Sequence, residues 1–265
     1  NDSAVVSAVF TRKTSGGSGG GHSGGSYGGG SGGGSNETSK PTLNGKPASW
    51  AEIAAELSKM ANGSEVTIEI CGNYTVPEEV IKAVADNDIK ASFVVSGGLG
   101  WYISGADIST AAAADLNIMT AASPDSSSLR GSVGLKFSTN GTNAPTWLSV
   151  EFRKEYANKF ANLYRMDGGK PQFADNIRLG ENSSAALFRV AEKGEYIIML
   201  SGYSDRKGDA DNDGAVTIRD ALTVLRASVG LEKAENPVML DYNGDGVENV
   251  RDAYVLLMDI VAGRV

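Results

Sequence analysis

Two twelve-residue acidic loops near the C-terminus constrain the fold of this chain more than any other feature. The first spans residues 209–220 and the second spans residues 241–252. Both place an oxygen-bearing side chain at positions one, three, five and twelve, with glycine at position six. This pattern is typical of a short loop that wraps a Ca²⁺ ion, which takes about six to eight oxygen ligands. Each loop therefore predicts a calcium site.

Each predicted site combines four side chains with one backbone carbonyl, at position seven. In the first loop the predicted ligands are Asp209, Asp211, Asp213, the carbonyl of Ala215, and Asp220. In the second loop they are Asp241, Asn243, Asp245, the carbonyl of Val247, and Asp252. The twelfth residue is expected to bind with both carboxylate oxygens, and position nine (Thr217 and Asn249) through a water. Because one carboxylate of the first loop is an amide in the second, we expect tighter binding at the first loop.

Two other structures could use such loops. An acidic turn also favours Asp-Asn-Asp-Gly, but it does not need an acid at position twelve in both copies. An ordinary EF-hand has helices on both sides of its loop and Glu at position twelve. Here position twelve is Asp twice, and residues 202–208 are too polar and glycine-bounded for a helix. Apolar residues follow each loop at helical spacing: Ile218, Leu222, Leu225 and Val229, then Val250, Tyr254, Leu257 and Val261.

Two units of loop plus outgoing helix resemble a dockerin, the anchoring module of the cellulosome. The resemblance covers residues 205–265. It implies a small all-α module, two Ca²⁺ ions, and a cohesin module of a scaffold protein as the partner. It also implies cohesin contacts at Ile218, Arg219, Leu225 and Arg226, and at Val250, Arg251, Leu257 and Met258. The Ser-Thr pair of clostridial dockerins is absent, and the two units differ at Arg226 and Met258, so one or two binding modes remain open.

The composition restricts the function classes. The chain has 265 residues and 41% apolar content, which is enough for one to three domains with real cores. A net charge of −8 argues against nucleic acid as a partner, because phosphates would be repelled. No apolar run reaches the roughly 18 residues of a membrane span. Cys71 is the single cysteine, so an intrachain disulfide is excluded, and we expect it in the core of a strand.

We expect four segments along the chain. Residues 1–13 are the end of an upstream module or a stray strand, and residues 14–41 form a Gly/Ser-rich linker. Residues 42–203 form an accessory module, and residues 204–265 form the dockerin. The chain lacks an initiating Met and a signal peptide, which is expected for the mature tail of a longer extracellular protein.

The accessory module is predicted to be α+β, mostly antiparallel, so the whole chain is predicted to be multidomain. A capping box, Ser49 with Glu52, starts a first helix that Asn62-Gly63 ends. Thr75 is expected to cap a second helix, with Pro77 in its first turn. Alternation then predicts strands at 65–70, 89–95, 101–103, 115–119, 132–138, 147–152, 160–166, 171–178, 184–190 and 195–200.

Parts of this module resemble an uncharacterised module that recurs in secreted proteins of Firmicutes. The residues that carry the resemblance are 75–80, 101–108, 161–164 and 194–201. By its position the segment also resembles the accessory X modules that precede some dockerins. The resemblance implies an extracellular setting and does not imply an activity.

Catalytic interpretations have little support in the sequence. The single histidine, His22, lies in the predicted linker, which excludes a histidine-based triad or zinc site within an ordered domain. Glu78 and Glu79 fit the first turn of a helix, where acids complement the helix dipole. Aromatic residues are either core or a sugar-stacking platform: Trp101, Tyr102, Trp147, Tyr156 and Tyr164.

We therefore predict a non-enzymatic protein with no catalytic residue, which docks by calcium on a cohesin-bearing scaffold outside the cell. The alternative is a carbohydrate-binding or glycoside hydrolase subunit whose activity lies in residues 42–203 or upstream of residue 1.

Overall fold

The structure is a computed structural model that describes residues 40–120, 126–141, 145–181, 185–190 and 192–265. The predicted N-terminal strand, nearly all of the Gly/Ser linker and His22 lie outside the described residues. Within the described ranges, a β-rich module is followed by a helical C-terminal region.

The first half of the β-rich module contains the α+β part. Its elements are β1 Thr42–Leu43, β2 Lys46–Pro47, α1 Trp50–Leu57, β3 Glu65–Glu69, β4 Thr75–Val76, α2 Glu78–Asp86, β5 Lys90–Ser96 and β6 Leu99–Ser104. Ser49 caps α1 through the predicted capping box with Glu52. The helix ends at Leu57, five residues before Asn62, so the predicted end was too late.

Two other local expectations were wrong. Thr75 does not cap α2, because it belongs to β4 and pairs with Asp115. Pro77 occupies the cap position and makes no side-chain hydrogen bond to the helix. Cys71 lies beyond the end of β3, half-buried in a turn with φ of +47°, and is not a core strand residue.

The second half of the module is built from strands. Its elements are β7 Ala114–Asp115, β8 Ile118–Thr120, β9 Ser132–Thr139, β10 Thr146–Glu151, β11 Phe160–Asp167, β12 Lys170–Arg178, β13 Ala185–Arg189 and β14 Gly194–Ser201. Short 3₁₀ turns occupy Gly105–Asp107 and Lys154–Tyr156. The predicted strands from 132 onward are all present, with ends shifted by a few residues.

The strands form two main sheets. The first sheet has the order β13-β10-β6-β5-β3-β1-β2, and the second has the order β12-β11-β14-β9-β8. Strands β3 and β5 are parallel because α2 crosses between them, and the other described pairs are antiparallel. The predicted multidomain, mostly antiparallel α+β class is confirmed.

One hydrophobic core joins α1, α2 and the inner faces of both sheets. Strand alternation explains it: Val66 and Ile68 are buried while Thr67 between them is exposed. Trp101 is fully buried, and its indole nitrogen donates to the carbonyl of Leu116 at 2.9 Å. The outer face of the second sheet carries a separate small cluster of Tyr164, Ile197 and Met199.

The C-terminal region contains two helices that pack against each other, α3 Ile218–Ser228 and α4 Val250–Val261, with a 3₁₀ turn at Pro237–Met239 between them. The helices have their own small core of Ala210, Ala221, Val224, Leu240, Tyr242, Ala253 and Leu256. The segment between β14 and α3 is non-helical, as residues 202–208 predicted. Among the described residues, no helix is long and apolar enough to cross a membrane.

Candidate metal centre

The first acidic loop brings three carboxylates together. One oxygen from each of Asp209, Asp211 and Asp213 lies within 4.8 Å of the others. The loop is folded around Asp209, whose Oδ1 accepts from the amide of Asp213 at 3.1 Å and whose Oδ2 accepts from the amide of Gly214 at 2.9 Å. Gly214 has φ of +99°, a conformation that glycine adopts at no steric cost. Asp209 is fully buried, so its carboxylate is positioned by the backbone of the loop.

The charges in this loop repel one another. The pKa of Asp211 is raised to about 6, first by burial and then by the carboxylates of Asp220 and Asp213. Burial also raises the pKa of Asp209, although hydrogen bonds from Ser204 and Gly214 oppose the shift. A bound divalent cation would relieve this repulsion, and oxygen-only ligands at a tight turn suit Ca²⁺. The donor set therefore fits the predicted ion.

Position twelve closes the loop through the backbone. Asp220 is fully buried; its Oδ1 accepts from the amides of Ala210 at 2.9 Å and Asp211 at 3.1 Å. Its Oδ2 accepts from the amide of Thr217 at 2.8 Å, and Thr217 in turn caps α3. The expected role of Asp220 thus extends to fastening the start of α3.

The capping role of position nine was missed from the sequence. Thr217 and Asn249 are the N-caps of α3 and α4, each in a capping box with the acid three residues later. The Thr-x-x-Asp and Asn-x-x-Asp spacing was available as a signal, because Ser, Thr and Asn are preferred caps. Position nine therefore ties each loop to its outgoing helix.

The second loop repeats the hydrogen-bond framework of the first. Asp241 Oδ1 accepts from the amide of Asp245 at 3.1 Å, and its Oδ2 accepts from the amide of Gly246 at 2.9 Å. Asp252 is fully buried, and its two oxygens accept from the amides of Asn243 and Asn249, each at 3.0 Å. The two loops therefore share a hydrogen-bond framework, whereas among the described residues the grouping of three carboxylates within 4.8 Å occurs at the first loop.

The second loop differs from the first in its polar groups and its exposure. Asn243 Nδ2 is buried and, within the described part of the chain, has no hydrogen-bond partner. The carbonyl of Val247 accepts from Asn249 Nδ2 at 2.9 Å, whereas the Thr217 hydroxyl donates to Asp220 Oδ2 at 3.3 Å. Asp241 is half-buried where Asp209 is fully buried.

The predicted partner residues lie on exposed faces of α3 and α4. Their apolar members are Ile218, Leu225, Val250, Leu257 and Met258, with exposed fractions of 64%, 38%, 51%, 37% and 45%. Arg219, Arg226 and Arg251 are exposed as well. Arg226 pairs with Glu232 at 3.3 Å, and Arg251 lies 3.8 Å from Asp245.

The exposed surface also includes four apolar residues that were not predicted to contact the partner. Leu222, Val229, Tyr254 and Val261 are exposed on the two helices, at 43%, 55%, 62% and 73%. Their helical spacing was visible in the sequence. The buried face uses Ala221 and Val224 on α3, and Ala253 and Leu256 on α4. An exposed apolar patch rimmed by charge is typical of a protein-binding site.

Among the described residues, the five aromatic candidates are buried or half-buried, with Trp147 and Tyr156 half-buried. Trp101, Tyr164 and Tyr102 are buried, with exposed fractions of 0%, 5% and 6%. The Tyr164 hydroxyl donates to Asp205, and Tyr156 packs against the core. Glu78 and Glu79 lie in the first turn of α2, where the helix dipole accounts for them.

The comparisons with known proteins address the C-terminal region. A family model described as the dockerin type I domain matches residues 207–260. No curated protein and no solved structure matches the chain. Dockerins are non-catalytic modules that bind calcium and dock on cohesins in cellulosome-type assemblies. The match covers both acidic loops, α3 and nearly all of α4, so residues 207–260 of this multidomain chain are a dockerin type I domain.

Proposed function

We propose that this protein docks on a cohesin module of a scaffold protein by means of a dockerin that holds two Ca²⁺ ions, one in each loop. The observation that supports this proposal is the repeated framework around Asp209 and Asp241. In both loops the position-one carboxylate accepts the amides of positions five and six. In the first loop three carboxylates also lie within 4.8 Å of one another. Beside each loop begins a helix with an exposed apolar face.

The two ligand sets are the predicted ones. The first ion is held by Asp209, Asp211, Asp213, the Ala215 carbonyl and Asp220. The second is held by Asp241, Asn243, Asp245, the Val247 carbonyl and Asp252. When bound, the ion supplies positive charge that offsets the repulsion within each loop. The capping boxes connect each loop to the first turn of α3 or α4, so an ion that stabilises the loop also stabilises the helix. Part of the metal-binding free energy is therefore folding free energy.

The cohesin binds across the exposed faces of α3 and α4. Its contacts are Ile218, Arg219, Leu225 and Arg226 on the first helix, and Val250, Arg251, Leu257 and Met258 on the second. The apolar members supply area that is desolvated on binding, and the arginines are suited to pair with acidic groups of the partner.

The rest of the chain supports the docking module. We assign residues 42–203 to a non-catalytic accessory module and residues 204–265 to the docking module. Residues 14–41 are the linker to whatever precedes them. A scaffold-attached protein of this kind works outside the cell.

The test is binding of the full chain to a panel of recombinant cohesin modules, by surface plasmon resonance, with calcium and then with EDTA. We expect at least one cohesin to bind with calcium and to be released by EDTA. Asp213→Ala combined with Asp245→Ala should abolish binding, and Asn140→Ala, at the far end of β9, should leave it unchanged. Cohesin binding that persists in EDTA would contradict the proposal.

A further inference from the structure

The outer face of the second sheet holds the segment that leads into the first calcium loop. Asn162 of β11 is fully buried and bonds the backbone of this segment twice. Its Oδ1 accepts from the amide of Asp205 at 3.0 Å, and its Nδ2 donates to the carbonyl of Tyr203 at 3.0 Å. The sheet thus holds the backbone at Asp205, four residues before the first predicted ligand, Asp209.

A second contact runs from the sheet to Ser204, in the same segment. Asn176 of β12 donates from Nδ2 to Ser204 Oγ at 2.6 Å. Ser204 is fully buried, so the sheet fixes its side chain in the interior.

The loop returns a contact to the same segment from position four. Asn212 Oδ1 accepts from the amide of Ser204 at 2.8 Å, and its Nδ2 donates to the carbonyl of Gly202 at 3.0 Å. In the second loop position four is Gly244, which has no side chain to do this. Gly214 also packs closely, because an added Cβ there would lie 3.0 Å from the ring of Phe160.

Arg130 also contacts the segment of residues 203–205. It forms an ion pair with Asp205, and its Nη2 donates to the carbonyl of Ser204 at 3.0 Å. Its Nη1 donates to Asn236 Oδ1 at 3.2 Å. Asn236 is fully buried and donates to the carbonyls of Ser204 at 2.8 Å and Asp209 at 3.1 Å. One polar cluster therefore joins three parts of the molecule: the first loop, the segment between α3 and α4, and the second sheet.

We propose that the second sheet is a working part of the first calcium site. Asn162 and Asn176 are positioning residues that hold residues 203–205, the segment to which the loop is bonded by Asn212 and by Asn236. Binding of calcium at the first loop and docking of the loop on the sheet are then coupled, and each strengthens the other by the same factor. The second loop makes no comparable contact among the described residues, so its affinity is independent of the sheet. This inference rests on the proposed calcium binding at both loops.

The experiment measures calcium binding by calorimetry on the full chain in two backgrounds. Asp245→Ala leaves the first loop as the binding site, and Asp213→Ala leaves the second. Asn176→Ala is added to each, with Asn140→Ala as the matched control. Asn140 is an exposed asparagine whose side chain bonds Asp115, beyond the end of β9 that pairs with the start of β14.

We expect Asn176→Ala to weaken calcium binding about fivefold at the first loop, the order expected for losing one hydrogen bond between neutral groups. At the second loop the change should stay under about twofold, within the scatter of separate sites. An equal loss in both backgrounds, or no loss in either, overturns the inference while leaving the proposed function in place. Absence of calcium binding in both parent backgrounds would overturn the proposed function itself.

A measurement on the unaltered protein covers the case in which Asn176→Ala does not fold. Hydrogen exchange is followed with and without calcium at the amides of Asp205 and Arg206, which donate to Asn162 Oδ1 and Ser204 Oγ. We expect calcium to slow both amides as well as those of the loops. Slowing confined to the loops would show that the sheet contact does not respond to the ion and would refute the coupling.

Discussion

The two acidic loops have nearly the same internal hydrogen bonds and very different surroundings. Asp209 is fully buried, and Asn236 bonds both its carbonyl and that of Ser204, whose hydroxyl accepts from Asn176 of the sheet. Asp241 is half-buried and bonded within its own loop. The repeat therefore fixes the shape of both sites, and the neighbouring module distinguishes them. Affinity at each loop should reflect the ligands themselves and whatever holds the ligands in place.

Removal of calcium should have the largest effect and should affect the two loops unequally. Each site contributes about 4 kcal/mol of stability at a thousandfold excess of ion over Kd. The helical core of the dockerin has seven buried apolar residues, so it depends on this contribution. In EDTA we expect the circular dichroism signal of α3 and α4 to fall, and hydrogen exchange to be faster in α4 than in α3. Equal exchange in the two helices would remove the distinction between the loops.

Loss of the position-five acid is the next largest change. Asp213→Ala and Asp245→Ala each remove one carboxylate ligand, and we expect at least a tenfold loss of calcium affinity at the altered loop, as for other changes close to a metal. Calorimetry on each variant then reports the intact loop alone. We expect the first loop, read from Asp245→Ala, to bind more tightly than the second. The reverse order would mean that neither its extra carboxylate nor the sheet favours the first loop.

Much of this comparison was predictable from residues close together in the chain. The spacing of acids and glycine predicted both loops, and the Ser49–Glu52 pair predicted the start of α1. Thr75 failed as a predicted cap because its pairing with Asp115, far along the chain, overrode the local signal. The contacts of the first loop with the sheet were hidden for the same reason. Asn162 and Tyr203 are 41 residues apart, and no local pattern marks such a pair.

The two loops should differ in calcium affinity for two reasons: the number of carboxylate ligands and the contacts with the sheet. Exchanging the residues at position three separates these two causes. Asn243→Asp replaces a buried amide nitrogen that lacks a partner with an ionised oxygen, so we expect about a tenfold gain at the second loop. Asp211→Asn should produce a similar loss at the first loop. The double exchange inverts the number of carboxylates and leaves the sheet contacts unchanged. If the first loop still binds more tightly in calorimetry, the sheet outweighs the ligand charge; a reversed order would favour the charge.

The pH dependence of stability and of calcium affinity should reflect the repulsion among the carboxylates of the first loop. The pKa of Asp211 is about 6 in the metal-free folded chain, above its ordinary value of 3.8. The folded form therefore binds more protons than the unfolded form between pH 4 and 6, and metal-free stability should fall as pH rises through this window. Calcium must displace that proton, so affinity at the first loop should decline below about pH 6. Thermal melts in EDTA measure the metal-free stability, and calorimetry in the Asp245→Ala background measures the calcium affinity of the first loop. Asp211→Asn should remove the fall in metal-free stability between pH 4 and 6.

The helices that follow the loops should show the smallest effect. Both helices carry Arg-Asp-Ala in their first turn and expose apolar residues, so the proposed cohesin contact allows one binding mode or two. With two equivalent modes, Leu225→Ala with Arg226→Ala removes one mode and halves the association constant. Leu257→Ala with Met258→Ala should likewise halve it, and all four changes together should abolish binding. A loss above tenfold from one pair and none from the other would show a single mode. The asymmetry of the loops would then extend to the docking surface, because Arg226 and Met258 mark the two faces as chemically different.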